Sequence, residues 1–339
     1  MTKQEAAIKY ITENYLDFNR LRHDIVADKL QVRDETGWRE MTKHDINSIV
    51  CHCAQKYDAN ITSREVMTAL QSDLIPDVHP LREYVLSCRE WTEEQPDWID
   101  WVAQQVTVKP LGDEAKGDKA RGEGLWRGCF KKWFVAMVAS WMKDEVVNHQ
   151  VLVLIGKQGI FKTTWLEHLI PPHLRAYACK LANSNDLNKD ERLRIAEFGL
   201  ISLDEIDSMN NRELNQLKSV ITATDVNERA AYAYTKERRV RLASFCASGN
   251  RRDFLTDITG NRRWLPFEVE SIQNPFYTLL PYERMYAQAW ALAQDPLFSY
   301  WFDLDEIEVL EEHNQHFRDE SNEEQLLPIL FDVPAEGRG

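Results

Sequence analysis

The segment Gly156-Lys157-Gln158-Gly159-Ile160-Phe161-Lys162-Thr163-Thr164 follows the apolar run Val151 to Ile155 and opens a helical stretch that ends before Pro171-Pro172. Glycines at such a turn let backbone N–H groups curl around phosphate oxygens, and a helix starting there adds the positive end of its dipole. Lys162 is spaced to reach the β- and γ-phosphates of a nucleoside triphosphate, and the Thr163 hydroxyl to ligate magnesium. The usual pattern has glycine directly before the lysine. Here that position is Phe161, and the nearest glycine is Gly159. A glycine turn with Lys and Thr can also be purely structural, so the loop needs a partner.

A partner follows. The apolar run Phe198 to Leu203 closes in Asp204-Glu205, and a buried strand of an open α/β sheet delivers such acids to the carboxyl edge, where ligands bind. Asp204 would hold magnesium, and Glu205 would orient or deprotonate an attacking water. The plain alternative is a strand ending in a polar turn, and Asp207 reads as such a turn or as a cap. A further run, Leu242 to Ala247, ends in Ser248-Gly249-Asn250. The Asn250 amide there would position water against the γ-phosphate, although Gly-Asn is also a common turn. Gly260-Asn261-Arg262-Arg263-Trp264 carries an arginine pair that either stabilises charge on a transferring phosphoryl group or forms a solvated basic turn.

The elements that must position these residues alternate short apolar strands with helices from Gln150 onward, the pattern of an α/β sheet. A strongly apolar helix precedes them from Leu125 to about Lys143, its aromatic stripe read as core packing. Upstream, residues 3–16 read as a helix, Phe18 to Val26 and Leu30 to Val32 as a hairpin, and Thr42 and Thr62-x-x-Glu65 as helix starts. The expected division is a mostly helical domain over 1–110, a Gly- and charge-rich linker over 111–124, the α/β domain over 125–302 and an acidic tail over 303–339.

Bulk properties agree with a folded chain. At 339 residues, and with roughly 100 to 200 residues per domain, two domains are expected. The net charge of -14 argues against a protein that coats nucleic acid over its whole surface. Basic residues nevertheless outnumber acids across 227–263, so such contact would be local. The six cysteines lack metal-ligand spacing, the Cys51-His52-Cys53 run included. No segment reaches the ~18 apolar residues of a membrane span, and the start lacks a signal peptide. A cytoplasmic protein with no membrane partner is expected.

At LIGKQGIFKTTW (154–165), LISLDEID (200–207), LNQLKSVIT (214–222), VNERAAYAY (226–234), FCASGN (245–250) and TGNRRWLPFEV (259–269) the chain resembles the virulence-associated protein E family. The ATPase domain of that family is similar to superfamily 3 helicases of viruses, phages and mobile elements. The resemblance covers roughly residues 110–300. It implies an α/β P-loop NTPase domain of the AAA+ and superfamily 3 helicase-like kind, preceded by a smaller, mostly helical N-terminal domain. It gives Lys162 and Thr163 the Walker A roles, Asp204 and Glu205 the Walker B roles and Asn250 the sensor role. Arg262 or Arg263 becomes a finger acting across a subunit boundary of a ring, expected to be a hexamer.

In superfamily 3 helicases a hairpin between the Walker B and sensor strands enters the central channel. Here Val226 to Tyr234 and Val240 to Ala247 read as its arms and Thr235 to Arg239 as a basic tip. Lys236, Arg238 and Arg239, with Lys218, would grip single-stranded DNA, and Tyr232 or Tyr234 would stack on bases. A solvated hairpin tip is the plain alternative. The expected function is an ATP- and Mg2+-dependent DNA helicase or translocase of a prophage or mobile element. The rivals are a nucleotide-switched binding protein that unwinds nothing and an ATPase-derived scaffold that no longer hydrolyses.

Overall fold

In the computed structural model, which describes residues 1–57, 60–111, 119–181, 195–228, 237–255 and 261–319, the chain divides into two units, Met1–Tyr84 and Val85–Gly339. In the first, Thr2 and Glu5 form a capping box that starts α1 (Lys3–Ile11), and one π-helical turn, Thr12–Leu16, continues it. Strands β1 (Leu21–Asp24), β2 (Lys29–Asp34) and β3 (Gly37–Glu40) follow as an antiparallel meander. Then come α2 (Lys43–Tyr57), α3 (Ser63–Leu70), capped by Thr62 and Glu65, and β4 (Asp77–Val78), parallel to β1. Ala7, Ile11, Leu21, Ile49, Cys53 and Val66 are fully buried in one cluster. The Cys53 thiol donates to the Ala6 carbonyl at 3.3 Å. The expected hairpin is therefore part of a four-stranded sheet, order β3-β2-β1-β4.

The boundary falls at Tyr84/Val85 inside α4 (Pro80–Ser87), not at residue 110. The cause is that the next segment is built into the second unit. The backbone N–H of Ile99, in α5 (Trp98–Ala103), donates to the Gln288 side chain at 2.9 Å, and β5 (Val106–Val108) pairs antiparallel with β12 (Trp264–Ile272). Helix α6 (Lys119–Met142) begins inside the expected linker.

The second unit is a six-stranded sheet, order β5-β12-β6-β11-β8-β7. Strands β6 (Val151–Ile155), β7 (Ala178–Leu181), β8 (Leu200–Leu203), β11 (Ser244–Gly249) and β12 run parallel. Every residue of β6, β8 and β11 is buried, as expected where helices cover both faces. On one face α6 pins its tryptophans to the backbone: Trp133 Nε1 donates to Phe245 O and Trp141 Nε1 to Gly199 O, both at 3.1 Å. On the other, α8 (Asn211–Thr222) sets Leu214, Leu217 and Ile221 in a cluster with Val153, Leu203 and Ala247. Helix α7 (Lys162–His168) joins β6 to β7, and α9 (Tyr282–Gln294) packs on α6 through a stacked Trp141–Tyr286 pair.

Two expected boundaries move. The acidic tail is not a tail from residue 303: Asp303 and Glu306 cap α10 (Leu304–Asn314), whose buried Asn314 donates to Asn261 O at 2.9 Å and Trp264 O at 3.0 Å. Phe317 beyond it is fully buried. The hairpin arms are β9 (Asp225–Glu228) and β10 (Glu237–Val240). Most of the stretch expected as the second arm is the core strand β11 instead, because its side chains are all apolar or small and fill the sheet centre. Among the described residues no helix is long and apolar enough to cross a membrane.

Asn314→Ala leaves two buried carbonyls without their donor, at a cost of about 1–3 kcal/mol. Urea unfolding of the chain should show that loss. Unchanged stability would return 303–319 to the status of a solvated tail.

Candidate functional site

The C-terminal ends of β6, β11 and β8 lie side by side, at the point where the chain turns to opposite directions: from β6 toward β7, from β11 toward β12. Open α/β sheets place ligands in that crevice. Three segments meet there: the loop after β6, Asp204-Glu205 after β8, and Ser248-Gly249-Asn250 closing β11.

The loop is held by close backbone contacts. Gly156 N donates to Gly249 O at 3.1 Å, and a β-carbon on Gly156 would meet Val269 O at 2.8 Å. Gly249 is equally constrained, since a β-carbon would lie 2.8 Å from both Asp207 Oδ1 and Ile155 Cδ1. Phe161, in the place usually held by glycine, caps α7 with φ 68° and ψ 17°. It thus takes up the left-handed conformation that glycine adopts freely, at a cost of roughly 1–2 kcal/mol for a residue with a β-carbon.

Lys162 is only 7% exposed. Its ammonium donates to Gly156 O and Lys157 O at 2.7 Å each and to Asn250 Oδ1 at 3.3 Å, spanning the loop. Burial holds it below the usual lysine range, with Asp207 and Asp204 drawing it back up. The Thr163 hydroxyl lies 3.2 Å from Asp204 Oδ1 and 2.8 Å from Ser248 Oγ, and Ser248 donates to the same Oδ1 at 2.7 Å. Lys180, on β7, pairs with Asp204 Oδ2 at 2.7 Å. Burial pushes the Asp204 carboxyl up, but the bonds from Lys180, Ser248 and Thr163 outweigh it and leave the group below its ordinary value.

Glu205 is exposed, with φ 52° and ψ 47°. Asp207 acts as a cap, though not of its own helix: its two carboxylate oxygens accept Asn250 N and Arg251 N at 3.1 Å each, fixing the Asn250 backbone. Lys157, Gln158 and Gly159 are exposed on the outer side of the loop, and Ile160 and Thr164 are half-buried. The contacts of Ser248 and Lys180 with Asp204 and the placing of the Asp207 cap on Asn250 and Arg251 were not legible in the sequence. Ser248 carried a signal, a hydroxyl at the end of an apolar strand; Lys180 carried none.

The other expected residues are not gathered here. Arg262 and Arg263 form a 3-10 turn before Trp264, which pairs with Val151, the first residue of β6. Five strand residues, about 16 Å, separate that edge from the glycine loop, so in this chain the arginines face the opposite edge of the sheet. Arg239 pairs with Glu197 at 3.6 Å and Arg238 lies in the β10 arm rather than at a tip. Lys218 is half-buried on α8. Lys236, Tyr232 and Tyr234 lie outside the described residues.

The second unit is an α/β fold with a mostly parallel sheet that brings a glycine loop, a buried lysine, a threonine and an acid to one carboxyl edge. Residues 119–324 match the virulence-associated protein E-like domain, more than half of the chain, and the chain belongs to that family. No curated protein matches it in sequence. Among solved structures it is similar to the apo structure of the NrS-1 C terminal region, with 14% identity, TM-score 0.50 and coverage of 97% of this chain and 78% of that one. The A form apo structure of the same region matches at 14% identity and TM-score 0.49 over 96% and 78%. At such identity the likeness concerns the fold.

Gly249→Ala forces its new methyl against Asp207 and Ile155. Chemical denaturation should register a loss of about 1–3 kcal/mol, the usual cost of overpacking; an unchanged midpoint would refute this packing of the three segments.

Proposed function

We propose that the second unit is a P-loop ATPase of the AAA+ and superfamily 3 helicase-like kind. In this reading the chain is an ATP-hydrolysing DNA helicase or translocase of a prophage or mobile element, acting as a ring on single-stranded DNA. The observation that carries the reading is the convergence of Lys162, Thr163 and Asp204 on one loop. The donor set near Asp204 fits magnesium: a carboxylate and two hydroxyls are all-oxygen ligands, and this ion is commonly held by one or two carboxylates plus substrate phosphates.

Each residue then has a task. Lys162 exchanges loop carbonyls for β- and γ-phosphate oxygens, while the backbone N–H groups of Gly156 to Thr163 wrap the phosphates. Thr163 and Asp204 would hold magnesium, which when bound neutralises charge on the phosphate oxygens. Glu205, exposed beside Asp204, orients the attacking water and takes its proton, and Asn250, positioned by Asp207, holds that water against the γ-phosphate. Arg262 and Arg263, on the far edge of the sheet, reach a nucleotide only in a neighbouring copy, which is the argument for a ring, here a hexamer. The β9–β10 hairpin with Lys236, Arg238 and Arg239, aided by Lys218, contacts the DNA backbone.

Lys162→Ala should weaken ATP binding by roughly a hundredfold, the scale of losing a buried charged donor, measured by calorimetry. Glu205→Gln should bind ATP normally and lose turnover by roughly a hundredfold or more. Full hydrolysis in either variant would remove the mechanism. Single-stranded DNA should raise ATP turnover, and Lys236→Ala with Arg238→Ala should abolish that rise; slow, unstimulated turnover with nucleotide-dependent assembly would indicate a switch protein instead. Finger loss costs roughly a thousandfold in kcat, so Arg262→Ala and Arg263→Ala, assayed separately and mixed with Glu205→Gln subunits, should regain activity only if the finger acts in trans. Lys180→Gln frees one Asp204 oxygen. The magnesium concentration needed for half-maximal ATP binding should fall roughly two- to fivefold, a modest change because Lys180 is solvent-screened.

A further inference from the structure

Between β12 and α9 the loop Asn274–Leu280 sets three large apolar side chains in water: Phe276 is 66% exposed, Tyr277 86% and Leu279 87%. Three exposed apolar side chains within four residues are a candidate docking surface. Its position is informative. The Phe276 ring meets Phe161 at 6.4 Å between centroids and His168 at 5.5 Å, both edge-on at 80° and 85°. Phe161 is the residue directly before Lys162, and His168 is the last residue of the same helix. The exposed ring therefore stands against the helix that carries the loop-spanning Lys162, with most of its own surface free.

The loop is also fixed in place. Asn274 accepts Phe276 N through its side chain at 3.0 Å and Tyr277 N through its carbonyl at 3.1 Å. Just beyond, the Tyr282 hydroxyl donates to His168 O at 2.7 Å and the Tyr286 hydroxyl to Leu169 O at 3.1 Å. A rigid aromatic surface tied by two tyrosines to the end of α7 is pre-organised, so little ordering entropy is lost when a flat ligand covers it.

We propose that Phe276, braced by Phe161 and His168, is the stacking platform for the base of the nucleotide whose phosphates occupy the Gly156–Thr163 loop. This rests on the nucleotide-binding reading above and adds what that reading leaves open, where the base goes and how it is read. It also gives Phe161 a purpose. A residue held in the left-handed region at some cost in strain persists where the surrounding structure and function require it, and here its ring braces the platform while its backbone closes the loop. Recognition through a ring face tolerates any base, because every base has a π-face. ATP and GTP therefore bind with affinities within a few-fold of one another.

The test compares ATP with inorganic tripolyphosphate, both with magnesium, on the full chain by calorimetry. Phe276→Ala should weaken ATP by about tenfold, the scale of losing one base–aromatic stack, and leave tripolyphosphate unchanged; Phe276→Trp should restore ATP binding. Phe276 is exposed, so the variants fold. If wild type binds both ligands and Phe276→Ala binds ATP equally well, the platform is wrong while the phosphate site stands. Equal weakening of both ligands in Phe276→Ala would mean a merely structural role and also overturn it. If wild type binds neither ligand, the nucleotide reading itself fails and takes the platform with it. Unchanged ATP affinity with a lower sedimentation coefficient would assign the patch to contact with a second copy.

Discussion

The carboxylate of Asp204, directly after β8, stands where β7 and β11 end and α7 begins, and its two oxygens tie these segments together. Oδ1 receives Ser248 from β11 and lies within reach of Thr163 from α7, while Oδ2 pairs with Lys180 from β7. The three central strands β6, β8 and β11 are fully buried, with only the small hydroxyls of Ser202 and Ser244 among their apolar side chains until their carboxyl ends. Polar groups that surface at that edge must satisfy one another, and in a partly buried setting a network of this kind is strong when complete and costly when broken. Through it the start of α7 is tied to β7, β8 and β11 at one edge of the sheet.

A second set of constraints acts at the opposite edge. Arg241 is fully buried, with its guanidinium donating to Ala243 O at 3.1 Å, Asn148 O at 2.8 Å and Ile221 O. Burial pushes its pKa down to about 9. It joins the end of α8 to the starts of β6 and β11, so at least one member of the basic run 236–241 is structural. The two edges are therefore built differently: one is locked by a buried cation on backbone carbonyls, the other by side chains around a half-exposed acid. At the edge that holds Asp204, Phe161 directly before Lys162 and Glu205 directly after Asp204 sit at φ 68° and 52°, a left-handed conformation that costs a residue with a β-carbon roughly 1–2 kcal/mol.

Much of the site could be read from residues near each other in the chain. The glycine loop with Lys162 and Thr163, and the acid pair closing an apolar run, are local patterns, and the structure sets Lys162 against Asn250 at 3.3 Å and Thr163 against Asp204 at 3.2 Å. Capping boxes at Thr62 and the apolar stripe of α6 were equally local. The partners of Asp204 were not: Lys180 and Ser248 reach it only because β7 and β11 both flank β8. The hairpin arms shifted for the same reason. A run of small and apolar residues such as Ser244–Gly249 fits an edge arm and a central strand alike until its neighbours are known.

Sequence by itself determined the alternation of strand and helix, the chemistry of the loop and the acids, and the aromatic character of α6, because these follow from backbone preference and periodicity over a few residues. Only the tertiary structure decided that β11 inserts between β6 and β8, that 97–108 and 303–319 belong to the second unit, and that Arg262 and Arg263 lie across the sheet from Lys162. Those outcomes depend on pairings between residues far apart in the chain, where the apolar faces of parallel strands are interchangeable. Total burial and the few polar contacts at the sheet edges then select one arrangement.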